Sequence, residues 1–176
     1  PTTELAWSVL LHDCGKPQSF SKGEDGRCHF YGHEESGSKM ALEILSELKL
    51  PSKLISSTTD AISQHMRISS SSKMREAKLS RLLSDKNFPL HLELHRIDCL
   101  SSHRNMDSYV FLLDKYSDHQ AKPQLPKPLV TGKDLIDAGL IPGPDFKRIL
   151  YELHNMQLEN AALTKDELLR NLRNLI

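Results

Sequence analysis

The sequence predicts an all-α fold, a helical bundle followed by a small helical C-terminal module. Apolar residues recur at the three- and four-residue spacing of an amphipathic helix over residues 33–50, 52–66 and 73–84. The apolar run from Leu5 to Leu11 lacks the alternation expected in a half-buried strand. It is therefore predicted to form a buried helix.

Composition restricts the classes of function. A chain of 176 residues with 38% hydrophobic content is long enough for one domain, or for one domain with a small appendage. Lysine plus arginine and aspartate plus glutamate both number 23, so net charge gives no argument for nucleic-acid binding. No apolar run reaches the roughly 18 residues of a membrane helix, and three widely spaced cysteines favour reduced thiols. We therefore predict a cytoplasmic protein without membrane contact.

The first predicted helix ends at His12 and Asp13, two polar residues that are unusual after an apolar run. Adjacent helical positions are about 100° apart, so an imidazole and a carboxylate can converge on one cation. The negative end of the helix dipole favours that cation. The pair can equally be a helix cap or a satisfied polar pair. Gly15 is predicted to supply a left-handed cap and Pro17 to end the helix.

Two further histidines are candidate ligands. His33 follows a glycine-containing loop and lies at the start of the helix 33–50, where the helix dipole disfavours imidazolium and leaves a nitrogen lone pair available. It can instead serve as a helix cap. His65 lies on the apolar side of the helix 52–66 and is predicted to point inward. A hydrogen-bonded core histidine is the alternative for His65.

His91, His95 and Asp98 occupy positions i, i+4 and i+7 of a later predicted helix and so form one stripe. Such a stripe can also be a solvated face. His91 and His103 are predicted to be surface residues, and the helix 73–84 is predicted to serve packing only.

The segment AKPQLPKP, residues 121–128, is a proline-rich linker that separates a domain of residues 1–120 from a tail of residues 129–176. In the tail, Thr164 and Glu167 match a capping box. The tail carries no cluster of metal ligands or nucleophiles. Its predicted helices are Gly132 to Ala138, Pro144 to Leu158, and Thr164 to the end.

Three segments resemble the HD-domain phosphohydrolases, a helical superfamily, namely LLHDCGKP, FYGHEESG and RIDCLSSH. The resemblance implies that His12, Asp13 and Asp98 hold a divalent cation. It also implies that His33 and His65 hold a second cation or contact the substrate. The family pattern has a further histidine upstream of the doublet, and no histidine precedes His12. The site is therefore expected to be incomplete, or the chain to begin too late to include that ligand.

Two other residues would assist such a site. Lys16 is a candidate to steady a phosphate oxygen in catalysis alongside Asp13. His95, one turn before Asp98, is a candidate supporting partner, because metal-bound groups usually need such support. A mixed imidazole and carboxylate set does not discriminate among manganese, nickel, iron, cobalt, zinc and magnesium.

The tail segments TGKDLIDAGLIPGPDFKRIL and QLENAALTKDELL resemble the C-terminal part of bacterial tRNA nucleotidyltransferases and poly(A) polymerases, the CCA-adding family. The resemblance implies that the tail faces tRNA, with Lys133, Lys147 and Arg148 as candidate phosphate contacts. These three side chains can equally be solvated surface charges. Asn160 stands where that family commonly has glycine, and asparagine tolerates the left-handed conformation.

Taken together, these patterns predict an HD-type phosphohydrolase acting on a phosphomonoester or a phosphodiester, with a 2′,3′-cyclic nucleotide among the candidates, and a tail that faces tRNA or another RNA. One alternative is a catalytically inactive tRNA-binding body with remnant HD residues. Another is a stand-alone HD protein that hydrolyses nucleotides. The chain has no sequence for a nucleotide-adding head, so it should not add nucleotides alone. Oligomeric state is not predicted.

Overall fold

The computed structural model describes residues 2–121 and 125–176, and it confirms the all-α prediction. Lys122, Pro123 and Gln124 of the predicted linker lie outside the described residues. A small antiparallel hairpin, β1 (Ser21–Lys22) and β2 (Cys28–His29), precedes the second helix. The α-helices of the described residues are α1 (Thr3–Leu11), α2 (His33–Glu47), α3 (Ser52–Ser69), α4 (Glu76–Leu83), α5 (Phe88–Ser101), α6 (Asp107–Gln120), α7 (Gly132–Asp137), α8 (Asp145–Glu159) and α9 (Lys165–Arg170).

The chain divides into two compact units. The first comprises Pro1–Lys73 and Asp85–Ser117, and the second comprises Met74–Ser84 and Asp118–Ile176. The second unit therefore includes α4, which packs against α8. The sequence-based boundaries near residues 120 and 129 stay a prediction.

Helix α3 is the central element of the first unit, because α1, α2 and α5 all pack against it. The apolar faces of these helices meet in two buried clusters. One contains Leu11, Ala41, Leu45 and Ile62, and the other contains Leu5, Ala61 and Leu94. This packing brings the end of α1, the start of α2 and the middle of α5 around the C-terminal half of α3.

Gly15 lies where the loop after α1 passes very close to the start of α2. A Cβ atom at Gly15 would lie 2.2 Å from the carbonyl oxygen of His33 and 2.5 Å from the amide nitrogen of Gly37. Positive φ angles occur at Gly26, Gly32 and Gly139 but not at Gly15. The predicted left-handed cap at Gly15 is therefore wrong. Glycine is needed here because the two backbones touch.

We expect Gly15→Ala to destabilise the first unit by about 1–3 kcal/mol, because backbone atoms must move apart to admit the methyl group. The measurement is the urea midpoint of unfolding. Gly143→Ala is the control, since a Cβ there meets nothing closer than 3.8 Å. An unchanged midpoint in Gly15→Ala would show that the close approach costs nothing to relieve.

The β1–β2 hairpin replaces part of the loop predicted for residues 18–32. Ser21 pairs with His29 and Lys22 with Cys28, and Gly26 adopts a φ of 77° in the turn. Strands of two residues are too short to produce a periodic pattern, so no pattern in the sequence indicated them.

Among the described helices, none is both long and apolar enough to cross a membrane.

The second unit has its own core, formed by α7, α8, α9 and the segments beside them. The predicted capping box is confirmed, because the Thr164 backbone N–H donates to a Glu167 carboxylate oxygen at 2.8 Å and Thr164 Oγ1 accepts from the Glu167 N–H. Asn160 is extended, with a φ of −141°, and does not use the left-handed conformation. The buried residues of this core are Val130, Leu135, Ile149, Leu153, Leu168 and Leu172.

Candidate metal centre

Three histidine rings converge in the first unit from three different helices. His12 follows the last residue of α1, His33 is the first residue of α2, and His65 lies in α3. The His33 and His65 side chains are buried. The His65 ring centre lies 5.4 Å from that of His12 and 5.0 Å from that of His33.

Each of these rings uses Nδ1 in the same way. The Nδ1–H of His12, His33 and His65 donates to the backbone carbonyl three residues earlier, at 2.9, 2.8 and 2.6 Å respectively. A carbonyl oxygen can only accept, so these bonds place the proton of a neutral ring on Nδ1 and leave a lone pair on Nε2. His33 and His65 therefore present their Nε2 lone pairs to each other, whereas His12 directs Nε2 at the carboxylates of Asp13 and Asp98.

The closest pair of acceptors is His33 Nε2 and His65 Nε2, which are 3.1 Å apart. Two lone pairs at this distance repel each other unless a proton or a cation lies between them. Two nitrogens that each lie ~2.1 Å from one cation at a right angle are ~3.0 Å apart. The separation of these two atoms thus fits the ligand spacing of one metal ion.

Two carboxylates complete the cluster. Asp13 places Oδ1 3.4 Å from His33 Nε2 and Oδ2 3.4 Å from His12 Nε2. Asp98, in α5, places Oδ1 3.6 Å from His12 Nε2. The ligand atoms of Asp13, His33 and His65 all lie within 4.8 Å of one another. The donor set of imidazole and carboxylate groups suits a divalent transition metal or magnesium.

The surroundings shift the pKa values of His12 and His65 in opposite directions. The nearby Asp98 carboxylate raises the pKa of His12; burial opposes this effect and Asp13 adds to it. In turn, the neighbouring His12 lowers the pKa of Asp98. Burial lowers the pKa of His65, and the neighbouring imidazoles act in the same direction. His65 is therefore neutral at physiological pH, as a metal ligand must be.

A pocket of about 380 Å³ opens onto the cluster. Lys16 lines it and places Nζ 2.6 Å from Asp13 Oδ2. The pocket wall also includes His29, the last residue of β2, and Tyr31, which follows the hairpin. Their rings stack with an interplanar angle of 9° and a centre separation of 5.1 Å. No sequence pattern indicated this wall, because it depends on how the short strands pair.

Comparison with known proteins agrees with this geometry. The family model of the HD domain matches residues 2–101. The chain belongs to the HD-domain family. The three segments that resemble HD domains, together with His65 of α3, bring all five predicted ligands into one cluster. The structure groups Asp13 with His33 and His65, whereas the resemblance implied a cation held by Asp13, His12 and Asp98.

The HD-domain chain is also similar to curated tRNA nucleotidyltransferases. It is 29% identical over 168 residues to the A-adding tRNA nucleotidyltransferase of Deinococcus radiodurans, covering 85% of this chain and 36% of that protein. It is 30% identical over 172 residues to the CC-adding tRNA nucleotidyltransferase of Thermus thermophilus, covering 93% of this chain and 38% of that protein. The chain spans little more than a third of the length of these relatives. No solved structure gives a significant match.

The other histidines of the HD domain have separate partners. His95 is buried, and a hydrogen bond of 2.7 Å joins its Nε2 to Ser108 Oγ. Among the described residues, its side chain makes no hydrogen bond to Asp98, so its supporting role stays a prediction. His91 is only 1% exposed, and its Nε2–H donates to Asp60 at 3.0 Å. The prediction of a surface His91 is therefore wrong, because α5 packs this face against α3. His103 is exposed, as predicted.

The three basic residues predicted to meet RNA all lie in the second unit. Lys133 in α7 and Lys147 in α8 are exposed. Arg148 is also exposed but already bonds to Asp145 and to the carbonyl oxygen of Leu175. Lys133 and Lys147 are thus the better placed of the three for an external phosphate.

Proposed function

We propose that the HD site of this chain hydrolyses a phosphate ester with the help of a divalent cation, and that the second unit faces tRNA. The 3.1 Å approach of the Nε2 atoms of His33 and His65, beside the Asp13 carboxylate and inside a pocket, carries the first half of the proposal. Buried acceptors are not left facing one another without a proton or cation to satisfy them. The homology to tRNA nucleotidyltransferases supports the second half.

Each group of the site has a role in this proposal. Asp13, His33 and His65 would hold the cation, with His12 and Asp98 holding a second cation or orienting the ligands of the first. A bound divalent cation lowers the pKa of a coordinated water and neutralises charge at phosphorus. Lys16 would move from Asp13 to a phosphate oxygen of the substrate. The backbone carbonyls that accept from Nδ1 keep the rings in their ligating tautomer.

Substrate candidates are phosphomonoesters and phosphodiesters, with 2′,3′-cyclic nucleotides among them. The curated relatives are named for adding A or CC to tRNA. RNA ends and nucleotides are therefore the first substrates to test. An inactive RNA-binding body remains the competing function, and metal content separates the two.

The deciding experiment is elemental analysis of protein purified without chelators. We expect close to one equivalent or more of transition metal in the unaltered chain and its loss in the double variant His12→Ala, Asp13→Ala. The control is Asp118→Ala with His119→Ala, an adjacent acid and imidazole pair in α6 outside the cluster. Absence of metal in the unaltered chain, with none taken up on addition, would contradict the hydrolase proposal.

The RNA-facing part has its own test. We expect the double variant Lys133→Ala, Lys147→Ala to bind tRNA more weakly, and the slope of log affinity against log salt to fall by about 0.9 for each lysine that neutralises a phosphate. Lys39→Ala with Lys53→Ala removes the same charge from exposed positions of the first unit and is the control. An identical slope in both double variants would show that Lys133 and Lys147 do not contact RNA phosphates.

A further inference from the structure

A second pocket, of about 540 Å³, lies in the second unit and outside the HD site. Its walls come from Arg81 in α4, from the segment 127–131, and from Tyr151 and His154 in α8. The sequence predicted only a packing role for the helix that carries Arg81. Pockets of this size are typical of small-ligand sites.

Arg81 is fixed in this pocket by neutral partners. Its Nε and Nη2 both donate to Asn155 Oδ1, at 3.2 and 3.1 Å, and Nη2 also donates to His154 Nδ1 at 3.1 Å. His154 in turn donates from Nε2 to the carbonyl oxygen of Pro126 at 3.0 Å. Burial, reinforced by the charge of Arg81, lowers the pKa of His154, so that ring is neutral.

The positive charge of Arg81 is consequently uncompensated. Within residues 2–121 and 125–176, the ion pairs include no carboxylate oxygen within 4.0 Å of its guanidinium group. Lys127, which is exposed, adds a second positive charge at the rim. The backbone of this rim is held by buried Gln157, which donates to the Lys127 carbonyl and accepts from the Leu129 N–H. The pocket thus carries two positive side chains, Arg81 and Lys127, on a backbone that hydrogen bonds hold in place.

The same pocket presents a flat aromatic surface. The Arg81 guanidinium carbon lies 4.5 Å from the centre of the Tyr151 ring. Tyr151 nevertheless remains 49% exposed. Aromatic rings and guanidinium planes are the surfaces on which unstacked bases are held. A fixed cation beside a flat surface is complementary to a ligand that combines a planar ring with an anionic group.

We propose that this pocket binds one nucleotide, with its base against Tyr151 and Arg81 and its phosphate near Arg81 and Lys127. The nucleotide can be free or can be an unstacked residue of RNA. The inference deepens the tRNA-facing part of the proposed function and is independent of the HD site. In this proposal the second unit binds a base as well as phosphates.

The test titrates the full 176-residue chain with three probes: AMP, ribose 5-phosphate and a single-stranded five-nucleotide oligoadenylate. We expect AMP to bind more tightly than ribose 5-phosphate, since only AMP carries the base. Tyr151→Ala should weaken AMP about fivefold to a hundredfold, and Tyr151→Phe, which keeps the ring, should not. Lys127→Ala should weaken AMP and ribose 5-phosphate alike.

The two sources of nucleotide are separated by comparing probes. Tighter binding of the oligoadenylate than of AMP, with both weakened in Tyr151→Ala, indicates an RNA residue, whereas equal affinity indicates a free nucleotide. Arg81→Gln is accompanied by a thermal melt, because its bonds to Asn155 and His154 also support the fold. Undetectable binding of both AMP and the oligoadenylate, or affinities that Tyr151→Ala leaves unchanged, would overturn the inference. The variant His12→Ala, Asp13→Ala should retain binding, so failure of the HD proposal leaves this result intact.

Discussion

If the HD site hydrolyses phosphodiesters as proposed, replacement of Asp13 by asparagine is expected to lower kcat/KM by about a hundredfold or more. Even residues that only support metal ligands cost 10–100-fold when they are changed. Asp13 lies at the centre of the cluster, since its two oxygens face His33 and His12 and one of them accepts from Lys16. The measurement is hydrolysis of bis-p-nitrophenyl phosphate and of 2′,3′-cyclic AMP with added manganese, nickel, cobalt, zinc or magnesium.

The control for Asp13→Asn is Asp114→Asn, an exposed aspartate of α6. Asp114→Asn removes the same negative charge as Asp13→Asn but lies outside the cluster, so it should leave kcat/KM unchanged. Thermal melts of both variants show whether the fold is intact. Equal activity of Asp13→Asn and the unaltered chain would place the hydrolysis outside the HD site.

The second large effect is expected at Asp60, which supports buried His91. Asp60 Oδ2 accepts from His91 Nε2 at 3.0 Å and from Asn87 Nδ2 at 2.8 Å, while His91 Nδ1 has no hydrogen-bond partner among the described residues. Asp60→Ala would leave both ring nitrogens of His91 buried without a partner. The expected loss is about 1–3 kcal/mol of unfolding free energy, read from urea unfolding with Asp114→Asn as the control.

The same pair sets a pH dependence. The hydrogen bond from His91 holds the pKa of Asp60 below its usual value of 3.8, against the opposing effect of burial. The unfolded chain therefore takes up this proton at a higher pH than the folded chain does. The stability that Asp60 contributes is fully present above the unfolded pKa and is lost as pH falls through the lowered folded pKa. Asp60→Asn should remove this acid-sensitive part of the unfolding free energy. A steeper loss of stability in that variant would contradict the assignment.

The segments that carry the candidate metal ligands could be predicted from the sequence because each is a local pattern. His12 and Asp13 directly follow an apolar helix, and His33 begins another, so their positions relative to helix ends follow from the order of residues alone. The inward direction of His65 followed from the apolar side of α3, and its burial confirms that prediction. The family motifs added the expectation that these segments meet.

Other features depended on distances between segments that are remote in sequence. His91 shares its stripe with His95 and Asp98, and no local pattern indicated that α3 would cover it and supply Asp60 as its partner. Gly15 was expected to be a cap because glycine after a helix commonly is one. Its actual role, admitting the backbone of α2, is visible only once the two segments are placed side by side.

The helices could be predicted from the sequence, because periodic apolar residues and capping residues act within a few positions of each other. It also determined which residue types are available for a metal. Tertiary structure alone decided how they are combined: Nε2 of His33 and of His65 are 32 residues apart in the chain yet 3.1 Å apart in space. It likewise placed Arg81 on Tyr151, 70 residues further along. Such contacts follow from the packing of whole helices, which no short stretch of sequence encodes.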